Sequence, residues 1–198
     1  MKNLEITLLK HAVLSSKNYH KLLLNLKTIN LKKNDYLIKK GEICKFIGFL
    51  ESGILRSYIS KEKLEHNVDL YFPQETVSSY SSFLTQTPSL ENIQAISDSK
   101  IFILDLTNFN KLINTNRDFL RLSKYISDFF FIKKNKREYA LLLHSATERY
   151  NILLKSHPQI ENLVHQHQIA SYLGISHIHL SRIRNLKYIE RKNKPKHS

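Results

Sequence analysis

The spacing of apolar residues changes twice along the chain, and each change predicts a different kind of structure. In residues 4–25, Leu4, Leu8 and Leu9 form one stripe. Leu22–Leu24 with Leu26 form another after a polar break at Ser15–Asn18, which predicts two short helices. From about Thr28 the period shortens to two. Ile29 and Leu31 precede Tyr36 and Ile38, with the turn residues Lys33-Asn34-Asp35 between them. Phe46, Gly48 and Leu50 lead into Glu51-Ser52-Gly53, a hairpin-type turn, and Ile54–Ile59 and Val68–Phe72 alternate after it. Ile93 and Ala95, then Ile101 and Ile103, add two more candidates separated by Ser97-Asp98-Ser99. Short strands with turn signals every ~8–12 residues predict an antiparallel sandwich or barrel. One short helix is expected inside it, over Tyr80–Leu84.

From Thr107 the pattern is helical again. Asp118 to about His144 contains neither Gly nor Pro. Tyr125, Phe129, Ile132, Lys136, Tyr139 and Leu143 fall on a coiled-coil-like seam interrupted only by the lysine. Such a helix either packs on its own domain or pairs with a second copy. Ser145-Ala146-Thr147-Glu148 reads as a capping box that opens a new helix with Tyr150, Leu153 and Leu154 inward, ending before Pro158.

The stretch from His167 to Arg184 has the layout of a helix-turn-helix. Ile169, Ala170, Tyr172 and Leu173 give the first helix an inward face. Gly174 suits a turn position with positive φ, Ser176 can cap the next helix, and Leu180 and Ile183 recur inward. Arg182 and Arg184 are left on the outer face. The second helix of this motif enters the DNA major groove.

Charge supports that reading. The chain has 198 residues and a formal net charge of +14. Residues 149–198 hold nine Lys and Arg against two acids, so half the basic excess lies in the last quarter of the chain. Cys44, the only cysteine, permits no internal disulfide. No apolar run approaches the ~20 residues of a membrane span, and the N-terminus lacks a signal-peptide core, so a cytoplasmic location is expected. His165, His167, His177 and His179 are close in sequence, but spacings of two point side chains apart on a helix. No metal site and no cofactor are therefore expected.

Helices, a β-roll, a long seam helix and a C-terminal helix-turn-helix, in this order, resemble the Crp/Fnr family of bacterial transcription regulators over nearly the whole chain. In the first half, Lys40-Gly41-Glu42, Gly48–Gly53 and Arg56 are similar to the family's first β-roll turns. In the second, Ile169–Ser176 and Leu180–Arg184 resemble its short Bacteroidetes-type members. The resemblance implies an α+β fold: an N-terminal jelly-roll-like double-stranded β-helix with flanking helices, a long dimerisation helix, and a helix-turn-helix domain with little or no wing. The implied domains are a cyclic-nucleotide-binding-like sensor roll at 1–116, the dimerisation helix at 117–144, and a DNA-binding domain with a basic tail at 145–198.

Members that bind cyclic AMP hold its phosphate with a Gly-Glu on a small helix and an Arg on the next strand. Here that helix reads Ser78-Ser79-Tyr80-Ser81-Ser82, and Glu91 or Asn92 stands near the Arg position. Usual cyclic AMP binding is not expected. Ser78, Ser79, Tyr80, Ser81, Ser82 and Asn92 form the candidate effector set, unless they are a solvated surface. The resemblance places base-reading positions at His177, Ile178 and Arg182. It leaves Ser176 and His179 beside them, with Ser171 and Ser181 as candidate phosphate contacts and Arg184 and Lys187 as phosphate contacts or solvated charges. The implied partners are double-stranded DNA, a second copy, RNA polymerase and a small effector, with no membrane. No enzyme is expected. A serine recombinase would need clustered arginines, and the first hundred residues hold only Arg56. The competing reading is a ligand-binding or interaction protein whose basic C-terminus meets nucleic acid or membrane without specificity.

Overall fold

The computed structural model describes Glu5, Leu8, residues 14–62 and residues 64–193, with side chains of the last helix as far as Leu186. Its first half is built from β1 (Lys27–Leu31), β2 (Tyr36–Ile38), β3 (Phe46–Ser52), β4 (Leu55–Lys61), β5 (Leu64–Tyr71), β6 (Thr76–Val77), β7 (Asn92–Ala95) and β8 (Ser99–Asp105). They form two antiparallel four-stranded sheets, ordered β1-β8-β3-β6 and β2-β7-β4-β5, which is a jelly-roll arrangement. Every strand expected from the period-two pattern is present. The one not anticipated, β6, has two residues, too short for alternation to register; it pairs with Gly48 and Phe49.

Burial also departs from simple alternation. Residues Ile47–Leu50 and Leu55–Tyr58 are buried on both strand faces, because helices or the C-terminal module cover the outside of the roll. Gly53 closes the β3–β4 turn at φ +90°, and a Cβ there would lie 2.1 Å from Ser99 Oγ.

The helices are α1 (Ser16–Leu23), α2 (Tyr80–Thr85), α3 (Leu106–Ile113), α4 (Arg117–Leu143), α5 (Ala146–Ser156), α6 (Ile160–Leu163), α7 (Gln166–Leu173) and α8 (His177–Asn193). α1 starts within the polar break, with Ser15 as its cap; the first predicted helix lies largely outside the described residues. Asn116 caps α4 by accepting from the amides of Asp118 and Phe119. Asp118 in turn accepts from Ser15 and from Asn18 at 2.7 Å, which ties α1 to α4 and holds its carboxyl below the ordinary range. The Ser145–Glu148 capping box forms as the sequence predicts.

α4 has two unlike halves. Phe119, Leu122 and Ile126 are buried in the core of the roll. Beyond Phe130 the helix presents a largely exposed surface. A second core joins Tyr150, Leu153, Ile160, Val164, Ile169, Leu173, Leu180 and Ile183 to Ile54, Leu70 and Ile96 of the roll. The C-terminal helices are too few to bury a full core alone, and they borrow this apolar ground from the roll.

Candidate nucleic-acid interface and ligand cavity

Ile169, Ala170 and Leu173 bury the inner face of α7. Gly174 ends that helix in the left-handed region at φ +70°, and the Ile175 amide donates back to Ala170 O at 3.0 Å. Ser176 Oγ accepts from the His179 amide at 3.2 Å and starts α8. Leu180 and Ile183 then anchor α8 in the second core. Ser176, His177, Ile178, His179, Ser181 and Arg182 are left together on its exposed face. Among the described residues no strand follows α8.

Three sequence expectations around this surface change. Arg184 is not a free outer-face charge. Its Nε meets Glu161 Oε1 at 2.6 Å, and the same oxygen accepts from the Tyr150 hydroxyl at 2.6 Å, so Arg184 braces α8 against α5 and α6. Burial and that carboxylate push the Tyr150 hydroxyl up to about 12. Ser171 is also spoken for: its Oγ accepts from the Asn67 amide at 2.8 Å and donates to Glu65 O at 3.1 Å. His165 and His167 do not point apart. Their rings stack with centroids 5.8 Å apart, because His165 is the extended cap residue of α7 rather than a helical one. The side chain of Lys187 and the end of the basic tail, residues 194–198, lie outside the described residues.

The module is latched to the roll by polar contacts. Asn67 Nδ2 donates to Gln168 O at 2.8 Å. Arg137 donates to Tyr172 O at 2.7 Å and Asn67 O at 3.0 Å, and its guanidinium lies over the Tyr172 ring. Phe72 stacks on His157 with centroids 3.5 Å apart. Burial, then the charge of Lys133, lowers the His157 pKa. Arg56 is 7 % exposed. It pairs with Glu65 at 2.6 Å, donates to Gln94 at 2.7 Å and lies over Tyr58.

The serine-rich segment departs most from expectation. Ser78 Oγ donates to Phe46 O at 2.9 Å, and Ser79 and Ser89 share a hydrogen bond at 2.8 Å. Ser82 Oγ accepts from the Cys44 amide at 3.0 Å and donates to Thr87 O. Asn92 Oδ1 accepts from the Lys40 amide at 3.0 Å. The hydroxyls of Ser78, Ser79 and Ser82 thus brace the roll and are not a solvated surface. Ser78, Tyr80 and Ser81 line a cavity of about 700 Å³; Ser79, Ser82 and Asn92 do not.

That cavity lies where α2, β5, α4 and Tyr172 meet. The Tyr80 ring stacks on Phe130 at 4.4 Å and its hydroxyl meets Ser127 Oγ at 2.7 Å. Phe130, Phe131, Lys134 and Glu138 supply the helix wall, and Glu91 and Tyr71 the floor on the roll side. Lys133 also lines it, but its Nζ is held by Glu75 at 2.7 Å, Leu70 O at 2.9 Å and Asp69 at 3.1 Å. Burial alone would lower the Lys133 pKa; the two carboxylates raise it by more, so the ammonium stays charged. Composition gives no signal for Phe131 or Tyr172, which reach the cavity only through tertiary packing.

The predicted seam splits. Tyr125 packs partly against the core of the roll and Phe129 is half-buried, whereas Ile132, Lys136, Tyr139 and Leu143 are exposed. None of the six lines the cavity. Among the described residues no three His, Cys, Asp or Glu side chains are placed to hold a metal ion, and no helix is long and apolar enough to cross a membrane.

The family model of the cyclic nucleotide-binding domain matches residues 28–116. No curated protein sequence matches the chain. Among solved structures, FixK2 from Bradyrhizobium japonicum is similar over 83 % of this chain and 85 % of its own, at 15 % identity and a TM-score of 0.70. A CooA mutant from Carboxydothermus hydrogenoformans is similar over 92 % and 83 %, at 18 % identity and a TM-score of 0.69. A regulator from Eubacterium rectale assigned to the crp/fnr family is similar over 100 % and 92 %, at 18 % identity and a TM-score of 0.67. At these identities the likeness is one of fold.

Proposed function

We propose that this chain, which carries a domain of the cyclic nucleotide-binding family across residues 28–116 and has the fold of the Crp/Fnr regulators, is a dimeric, sequence-specific DNA-binding transcription regulator rather than an enzyme. The observation that carries the reading is the face of α8. Ser176, His177, Ile178, His179, Ser181 and Arg182 stay exposed while Leu180 and Ile183 anchor the helix. Arg182 is the residue assigned to guanine, since a guanidinium can donate two hydrogen bonds to O6 and N7. Ile178 suits a thymine methyl, and His177 and His179 lie beside the phosphates. Arg184 supports the helix from behind, and Lys187 is assigned to the DNA backbone.

The working division is a sensor roll at 1–116, a dimerisation helix at 117–144 and a DNA-binding unit from 145. Leu143, 76 % exposed, and Tyr139, 57 % exposed, with Ile132 and Leu142, favour a second copy along the distal half of α4. Phe129 and Tyr125 contribute less to that seam, since each already packs on its own protomer. A two-fold pair would place its recognition helices on half-sites ~34 Å apart. The partners are double-stranded DNA, a second copy and, at the promoter, RNA polymerase; the place of action is the cytoplasm. The cavity is read as the effector site because it touches the roll, α4 and Tyr172 at once. A ligand there would act on the Arg137–Tyr172 latch and shift the population of module orientations.

Selection of bound duplexes from a random pool tests this. The expected result is a recurrent site with two-fold symmetry whose preference survives added salt. Binding without sequence preference that fades with salt would instead mark a purely electrostatic binder. Leu143→Asp with Tyr139→Asp, both on exposed positions, should halve the solution mass without unfolding the protomer.

A further inference from the structure

The cavity between α2 and α4 has a volume of about 700 Å³, within the range of small-molecule sites. Its lining surface is mainly apolar, and the rings of Tyr71, Tyr80, Phe130, Phe131 and Tyr172 are part of it. The charged groups that reach it are not equivalent: Lys134 and Glu138 stand together on the exposed helix wall, in solvent rather than buried in the site. Lys133 is consumed by Asp69, Glu75 and a carbonyl. Arg137 is consumed by two carbonyls and stacked on Tyr172. Arg56, the one arginine of the roll, is closed off by Glu65 and Gln94 and does not line the space. Inside, Glu91 takes only hydroxyl donors: Ser57 Oγ contacts it directly. Burial disfavours its charge, and Ser57, Ser79 and the more distant charge of Lys134 offset that only in part; a cation placed directly beside it would offset it further.

We propose that this cavity binds a cationic aromatic amine, its ring held between Tyr80, Phe131 and Tyr172 and its ammonium on Glu91, and that it rejects phosphate esters, including cyclic nucleotides. A phosphate would need a free buried cation and backbone donors. The side chain that occupies the roll-side floor is a carboxylate instead. The aromatic walls suit the ring and favour a cation over their faces.

The inference takes from the proposed function only that the cavity is a binding site, and it is tested without DNA, so failure of the DNA-binding reading leaves it standing. The full chain is titrated by calorimetry with tryptamine, with indole-3-propionate as the carboxylate of similar shape, and with cyclic AMP. Tryptamine is expected to bind, the other two not. Glu91→Gln should weaken tryptamine about tenfold or more. Should that variant fold poorly, Phe131→Ala, at a ring 68 % exposed and so harmless to the core, should weaken it several-fold. Preference for the carboxylate or for cyclic AMP would overturn the assignment. So would tryptamine binding untouched by either variant, or no binding by any of the three at millimolar concentration.

Discussion

Two polar stretches of this chain look alike in composition and do opposite things. Ser78–Ser82 and Ser176–Arg182 are both serine-containing segments at the start of a helix. In the first, Ser78, Ser79 and Ser82 turn inward, and each meets a backbone or hydroxyl partner in the roll. In the second, Ser176 caps its own helix and the rest of the polar face has been left to solvent. The same contrast separates Arg56 and Arg184, each closed by a carboxylate, from exposed Arg182. A polar residue marks a binding surface only when the fold has not already used its hydrogen bonds.

The contrast can be broken where the fold uses a charge most heavily. Lys133→Ala should cost about 3 kcal/mol of stability, because it strands Asp69 and Glu75 at a site only about a fifth exposed. The urea midpoint would report it, and a midpoint like that of the parent would mean the cluster is solvated. Next in size, Ser82→Ala leaves the Cys44 amide and Thr87 carbonyl without their partner and should cost about 1–3 kcal/mol. Ser181→Ala, on an exposed residue, should stay within about 0.5 kcal/mol. Equal costs for the two serines would erase the distinction.

A smaller effect should follow pH. His157 is stacked on Phe72 and its folded-state pKa is lowered by burial. The unfolded chain therefore binds the proton more readily. The stability His157 contributes is complete above an ordinary histidine pKa of about 6.5 and is lost as pH falls from there through the folded value. His167 acts in the same direction. Thermal unfolding between pH 7.5 and 5 should show the decline, and His157→Phe should flatten part of it; an unchanged slope would remove His157 from the linkage.

These differences also mark how far the sequence could be read. The jelly roll, the long α4, the capping box at Ser145 and the turn at Gly174 all rest on local signals: alternation, absence of Gly and Pro, a cap pair, a positive φ. Those signals are carried by residues adjacent in sequence, and they were legible. The covering of β4 and β5 by the C-terminal helices depends on contacts about a hundred residues apart, such as Asn67 with Ser171, and nothing local announces them. For the same reason the partner of Arg184, the stacking of His165 on His167 and the aromatic wall around Glu91 came only with the structure. The exposed face of α8 was legible because helical periodicity alone sets which side of an anchored helix faces out.

The most direct test of that surface compares two arginines one half-turn apart on α8. Affinity is measured for Arg182→Ala and Arg184→Ala on a selected operator and on random duplex at one salt concentration. Arg182→Ala should reduce the ratio of specific to random affinity by about 10- to 100-fold, a loss of about 1–3 kcal/mol in base discrimination. Arg184→Ala should leave that ratio unchanged and cost only a few tenths of a kcal/mol to ~1 kcal/mol of stability, as expected for a partly exposed pair. A uniform loss on all sequences for Arg182→Ala, or a change of base preference for Arg184→Ala, would contradict the assignment of α8 as the reading helix.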